Sequence, residues 1–130
     1  MSQQEIEVIL ARHLAEYLAM PIIIVEPNGD LLFYNEPAES ILGVRYDETG
    51  PMPVGQWAAA FQPLDEHGHP LPEEERPLKR ALSQQCPSHK SFWIRGVEGR
   101  LRKLEVTAFP LNAQAGRFLG ALAVFWEVPL

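Results

Sequence analysis

The tightest constraint on this chain lies between Ile22 and Gly43, where IIIVEPNGDLLFYNEPAESILG sets two apolar runs, a reversal and a helix start in one short stretch. Ile22 to Val25 is β-branched throughout, and Leu31 to Tyr34 is apolar and aromatic. That composition suits a pleated, buried surface. Pro27-Asn28-Gly29-Asp30 separates the two runs: proline presets φ, and Asn28 and Gly29 tolerate positive φ, so the runs are expected to pair as an antiparallel hairpin. After the second strand, Asn35 is placed to cap free N–H groups and Pro37 suits a first helical turn. Glu36 and Glu39 favour the positive helix end, and Gly43 can stop the helix in a left-handed conformation. One strand therefore runs through a cap into one short helix.

Upstream, Ile6, Ile9, Leu10, His13, Leu14, Tyr17 and Leu18 recur at helical spacing, while Glu5, Glu7, Arg12 and Glu16 fall mainly elsewhere, so residues 2–19 read as an amphipathic helix. Its stripe needs a surface. Either it packs on the chain's own sheet, or it meets the same stripe of a second subunit. Downstream of Gly43 the sequence is irregular, with Gly50-Pro51-Met52-Pro53 ahead of one or two helical turns from Val54 to Phe61. Asp65-Glu66-His67-Gly68-His69-Pro70 then reads as a polar turn. Glu73 to Gln85 is helical in pattern, acidic at its start and apolar at Leu78, Ala81 and Leu82, with Pro77 tolerated early or marking a kink.

Three strands follow, His89 to Arg95, Leu101 to Pro110 and Phe118 to Val128, separated by Val97-Glu98-Gly99 and by Asn112 to Gly116. In the middle strand Leu104, Val106 and Ala108 alternate with Glu105 and Thr107, which predicts one buried and one wetter face. The last strand is apolar on both faces. Phe118, Leu122, Val124 and Trp126 lie on one, and Leu119, Ala121, Ala123 and Phe125 on the other. No repeat or long linker divides the chain, so it is expected to be one α+β unit: a helix over 1–19 and a domain over 20–128.

The ordered series YNEPAESILG resembles the opening of PAS domains, in which a strand ending in Asn enters a short P-A-x-x-x-L-G helix. HGHPLPEEERPLKRAL is similar to a P-L-P-x-E-x-x-P-L-x-x-A-L segment of one PAS subgroup, and EVTAFPLNAQAGRFLGALAVFWE to the closing V-x-x-x-P-L, glycine turn and G-x-x-x-V-F. The resemblance covers roughly residues 20–127. It implies a five-stranded antiparallel sheet in spatial order 2-1-5-4-3 with short helices on one face, and a sensory or protein-interaction role in signal transduction. Many members close on a D-I-T tripeptide that leads to an output helix, whereas these 130 residues close on Glu127-Val128-Pro129-Leu130, so no attached output domain is expected within them.

A net charge of −6 gives no electrostatic reason to bind nucleic acid or an anionic bilayer. The one cysteine, Cys86, cannot close an intrachain disulfide, and neither an export signal nor an apolar run of ~20 residues is present. A cytoplasmic location is expected.

The fold implied by the resemblance holds haem, flavin, a small organic ligand or nothing, and the residues bear differently on each. Haem needs an axial histidine on the helix before the third strand, yet residues 73–85 contain none; His67, His69 and His89 only flank it. Covalent flavin chemistry needs a cysteine in an N-C-R-F-L-like helix, and nothing between Gly43 and Phe61 matches. Haem and covalent flavin are therefore not expected, and the cofactor is left unknown. The Asp65 to His69 loop lacks a placed third ligand and reads as solvated. Cys86 and His89 lack an orienting group for nucleophilic catalysis. A small isomerase-like enzyme would need a buried carboxylate base, and Glu105 is expected to face solvent.

What remains is an apolar pocket between sheet and helices, assigned to Tyr34, Leu42, Trp57, Phe61, Leu78, Leu82, Phe92, Leu104, Val106, Leu122 and Val124. The expected protein is a non-enzymatic sensory or protein-interaction module, with a protein signalling partner and with room there for a small apolar ligand. It would pair as a homodimer through Ile6, Ile9, Leu10, His13, Leu14 and Tyr17 together with Leu119, Ala121, Ala123 and Phe125 of the last strand. The alternatives are the pocket enzyme and a ligand-free dimerisation scaffold whose core is filled.

Overall fold

Asn35 sets the geometry from which the rest of the fold extends. In the computed structural model, which describes residues 6–17, 19–95, 99 and 101–129, strands β1 (Ile22–Val25) and β2 (Leu31–Tyr34) pair antiparallel. The turn between them closes with Gly29 N–H donating to the Glu26 carbonyl at 2.8 Å, and Gly29 takes φ +93°, which favours glycine. Helix α2 (Glu36–Leu42) follows at once. The Asn35 side-chain oxygen accepts from Ala38 N at 3.3 Å and from Ile22 N at 2.9 Å, while its amide donates to the Met20 carbonyl at 2.9 Å. One buried side chain thus caps α2 and pins the entry of β1. Gly43 ends the helix at φ +86° with its N–H on the Glu39 carbonyl.

The remaining elements are α1 (Ile6–Tyr17), α3 (Tyr46–Thr49), α4 (Val54–Ala60), β3 (Pro63–Leu64), α5 (Pro77–Gln84), β4 (Ser88–Arg95), β5 (Leu101–Asn112) and β6 (Phe118–Glu127). The helical pattern from Glu73 breaks at Arg76. A 3₁₀ turn over Glu73–Glu75 is followed by an extended Arg76, and α5 begins on Pro77 at the position where a missing N–H costs nothing. The sheet is antiparallel in order β2-β1-β6-β5-β4-β3. This is the expected order with one addition: the two-residue β3 pairs with Trp93 and Ile94 at the outer edge, too short to show in an alternation pattern. Helix α3 was also not expected.

Register decides which side chains share a face. Val106 lies opposite Phe125, Ala108 opposite Ala123, Ile23 opposite Ala123 and Val25 opposite Ala121, so all of these join Leu104 on the inner face beneath α4 and α5. On the outer face Ile22 lies opposite Val124 and Ile24 opposite Leu122, with Phe33 and Phe109 alongside. The sequence assignment of β6 is corrected on this point. Leu122 and Val124 belong to the outer face, and Ala121, Ala123 and Phe125, assigned to a dimer surface, are buried on the inner one. Leu119 is the extra residue of a bulge, since Leu111 pairs with Gly120 and Asn112 with Phe118. With two apolar faces β6 offers no hydrophobic contrast, so alternation alone does not say which face turns inward.

Helix α1 packs on the outer face of the sheet by a side other than its large apolar stripe. It touches the chain through Val8, which is 5% exposed, and through Ala11, with the Arg12 guanidinium 4.4 Å above the Phe33 ring. The expected stripe points away: Ile6, Leu10 and Leu14 are 60–65% exposed and Tyr17 is 88% exposed, and His13 is exposed as well. Leu18, Val97 and Glu98, named in the sequence reading, lie outside the described residues, as do residues 1–5. Among the described residues no helix is long and apolar enough to cross a membrane.

Asn35→Ala leaves two buried N–H groups and one carbonyl without their partner, and a buried polar group so orphaned costs ~1–3 kcal/mol. Urea unfolding of this variant is expected to show a loss of about 3 kcal/mol or more. A loss below ~1 kcal/mol, typical of an ordinary surface change, would show that Asn35 does not hold the two elements together.

Candidate functional site

The hairpin turn and two short helices build a cavity over the inner face of the sheet. The Trp57 indole N–H donates to the Gly29 carbonyl at 2.9 Å, and Val54 N donates to the Asp30 carboxylate at 2.9 Å, so α4 hangs from the turn. Helix α5 packs on the far side through buried Ala81 and half-buried Leu78 and Leu82. Between α4, α5 and the strands lies an open cavity of about 400 Å³. Its floor is Ile23, Val25, Leu104, Val106, Ala123 and Phe125, with Phe92 and Ile94 beside them, and its walls include Leu42, Trp57, Phe61, Leu78 and Leu82. Small side chains on the floor, chiefly Ala123, leave the space that larger ones would occupy.

Eight of the residues assigned to a pocket from sequence therefore come together: Leu42, Trp57, Phe61, Leu78, Leu82, Phe92, Leu104 and Val106. Three do not. Leu122 and Val124 are on the outer face for the reason given above. Tyr34 is buried, but its hydroxyl donates to the Val44 carbonyl at 3.0 Å and its ring packs edge-on to Tyr46 and Phe61, outside the cavity wall. Burial raises the pKa of both Tyr34 and Tyr46, keeping them as neutral hydroxyls. Ile23 and Val25 line the cavity without having been assigned to it, and Phe125, expected at a dimer surface, lines it as well. Pairing Phe125 with Val106 by register was the signal that placed it.

Among the described residues that line the cavity there is no histidine and no cysteine. They offer neither an axial imidazole for haem nor a thiol for a flavin adduct, so they do not fit either group in its covalent or ligated form. His67 and His69 are exposed on the polar turn, where both backbone N–H groups donate to Asp65 at 2.8 and 2.9 Å. Those bonds, that from His69 first, lower the Asp65 pKa.

Glu105, weighed as a catalytic base, sits on the face opposite the cavity. It accepts from the Ser91 hydroxyl at 2.6 Å and contacts His89 Nε2 at 2.8 Å, while His89 Nδ1 is 2.6 Å from the Thr107 hydroxyl. The Ser91 bond foremost, and then His89, hold the Glu105 carboxyl below its ordinary range. An acid poised that way is a poor proton acceptor near neutrality. Glu127, the other strand acid, is bound by Arg102 at 2.8 Å.

A curled antiparallel sheet with several short helices, a cavity on one face and a helix on the other, is the α+β architecture of a sensory-type domain. The PAS fold model matches residues 10–128, and the chain belongs to the PAS family. Its structure is similar to the PAS domain of a Colwellia psychrerythraea protein, with a TM-score of 0.66 and 17% identity over 93% of this chain and 97% of that one. It is similar also to the PAS domain of nitrogen regulation protein NR(II) from Vibrio parahaemolyticus, at TM-score 0.65 and 17% identity over 92% and 98% of the two chains. The Rhodobacter sphaeroides LOV protein superposes at TM-score 0.74 with 11% identity, covering 96% of this chain and 69% of that one. At such identities the likeness carries the fold. A comparison with curated proteins returns no match. Domains of this family are sensory and regulatory modules in signal transduction more generally than they are enzymes.

A depressed carboxylate pKa contributes stability that is complete above the unfolded value and lost as pH falls from there through the folded one. The stability difference between the native chain and Glu105→Gln is therefore expected to shrink as the pH drops below 4.5, the ordinary glutamate value. Thermal melts of both proteins across that range test this, and a difference that grows with acidity would contradict the Ser91–Glu105–His89 network.

Proposed function

We propose that this PAS domain is a non-enzymatic sensory module that binds a small, mainly apolar molecule in the cavity and pairs with a second copy through α1. The observation that carries the ligand reading is the cavity itself, about 400 Å³ of open, apolar-walled space. Sites for small molecules fall in the range of ~300–1,000 Å³. A scaffold with a filled core would have no such space, and an isomerase-like enzyme would need a base there, whereas Glu105 lies on the other face. A light-oxygen-voltage domain whose mechanism is probed with a flavin analogue is among the chains of similar fold, which supports a ligand-holding role for this fold.

The pairing reading rests on α1. Ile6, Ile9, Leu10, Leu14 and Tyr17 form an exposed apolar stripe, and a stripe of this kind marks an interaction surface. A second copy offers the same stripe by symmetry, so the contact can be self-complementary. The two sites lie on opposite faces of β1 and β6. A ligand pressing on Ile23, Ala123 and Phe125 moves the strands whose outer residues, Ile22, Ile24 and Leu122, carry α1, and differential packing of α1 in the two states is the signal. A cytoplasmic setting accords with a net charge of −6 and a single cysteine.

Two substitutions separate the parts. Ala123→Phe is expected to fill the cavity and abolish a ligand retained on native mass spectrometry, with the dimer persisting at tens of micromolar. Leu14→Glu is expected to give a monomer by light scattering while the retained ligand stays bound. A native chain that is monomeric under those conditions refutes the pairing, and a ligand unaffected by Ala123→Phe refutes the cavity as its site.

A further inference from the structure

The apolar cavity opens past three charged side chains, Glu73, Arg76 and Lys79. Arg76 precedes Pro77, and proline disfavours the helical conformation in the residue before it. Arg76 is accordingly extended, at φ −80° and ψ 125°, between the 3₁₀ turn and α5. Its Nε donates to the Leu71 carbonyl at 2.9 Å. That bond holds one edge of the guanidinium, and Arg76 is half-buried among the residues that line the cavity. Among the described residues no hydrogen bond or ion pair reaches the terminal nitrogens of Arg76 or the Lys79 ammonium. Glu73, although on the same rim, pairs with neither.

Two cations and one carboxylate give this rim a charge of +1 on a chain whose net charge is −6. An acidic protein thus keeps an unpaired positive group at the mouth of its apolar cavity. Resting on the ligand reading above, the geometry points to a monoanionic amphiphile as the ligand: an apolar body within the cavity and a carboxylate at the rim. The planar guanidinium donates two parallel N–H···O bonds to such a group, and Lys79 adds a point charge. A dianionic phosphate would leave the rim net negative beside Glu73. A carboxylate neutralises it.

Isothermal titration of the full chain with decanoate, decanol and decylammonium, each below its micelle concentration, tests this. Decanoate is expected to bind roughly tenfold or more tighter than decanol, the worth of hydrogen bonds to a charged group, with decylammonium weakest. Arg76→Gln is expected to remove the advantage of the acid and leave decanol unchanged. Lys79→Gln alters an exposed residue, and is expected to reduce the same advantage by a smaller factor without disturbing the fold; Arg76→Lys should fall between. Decanol equal to decanoate, or Arg76 and Lys79 variants that weaken both alike, overturns the anionic assignment while the apolar cavity stands. Absence of saturable binding by all three probes overturns the cavity reading and this inference together.

Discussion

A single buried amide group ties three parts of the molecule together. Asn35 closes the first turn of α2, receives the backbone of Ile22 and holds the Met20 carbonyl, while its own N–H donates to the Ile22 carbonyl at 3.2 Å. Asparagine is suited to this because it carries an acceptor and a donor on a short, neutral stem. Aspartate would supply the acceptor but bring a charge into a site that is 2% exposed and lose the bond to Met20. Because Ile22 opens β1, and Pro21 accepts from Phe125 N at 3.0 Å, the same position sets how β1 lies against β6. The cavity floor is made of exactly those two strands and β5, so its shape descends from this one bonded node.

The sheet separates two environments with little between them. Its inner face has small residues where the cavity lies, and its outer face has large ones where α1 lies. Gly120 shows how closely the strands are set: a Cβ at this position would lie 2.0 Å from the Val25 carbonyl oxygen, at φ +125°. Only glycine accepts that approach. β6 begins its pairing with β1 immediately after this point, Ala121 against Val25, which locks the register and with it the face each side chain takes. A one-residue slip would exchange the cavity floor with the surface under α1.

Local chemistry made the hairpin and α2 legible in the sequence, because Asn28-Gly29, Asn35 and Gly43 act on backbone groups within a few residues. The strand order followed from family resemblance, and most of the cavity wall from alternation in β5 and the helical stripe of α5. What stayed hidden depended on partners distant in sequence. The faces of β6 are equally apolar, so only pairing with Val106 and Ala108 settles them. β3 is too short to carry a period, and its existence depends on Trp93 and Ile94. Nothing in the helical pattern from Glu73 to Gln85 singles out Arg76, whose extended backbone comes from Pro77 starting the helix and whose Nε is held by the Leu71 carbonyl.

Helix α1 shows why the largest apolar side chains need not be the ones that pack within a chain. The outer face beneath it already carries Ile22, Ile24, Phe33 and Leu122, and a surface of bulky residues admits a helix closely only on small ones. Val8 and Ala11 provide that side, and Arg12 lays its guanidinium over Phe33 instead of a methylene stem. Since consecutive helical positions turn by about 100°, seating Val8 and Ala11 against the sheet turns Ile6, Leu10, Leu14 and Tyr17 outward. The exposed stripe is therefore a consequence of how the inner contact is made. Burying one such side chain stabilises by ~1.5–3 kcal/mol. Several of them on each of two symmetric copies outweigh the loss of freedom on pairing only if they meet along the same line, as helices crossing at a shallow angle do.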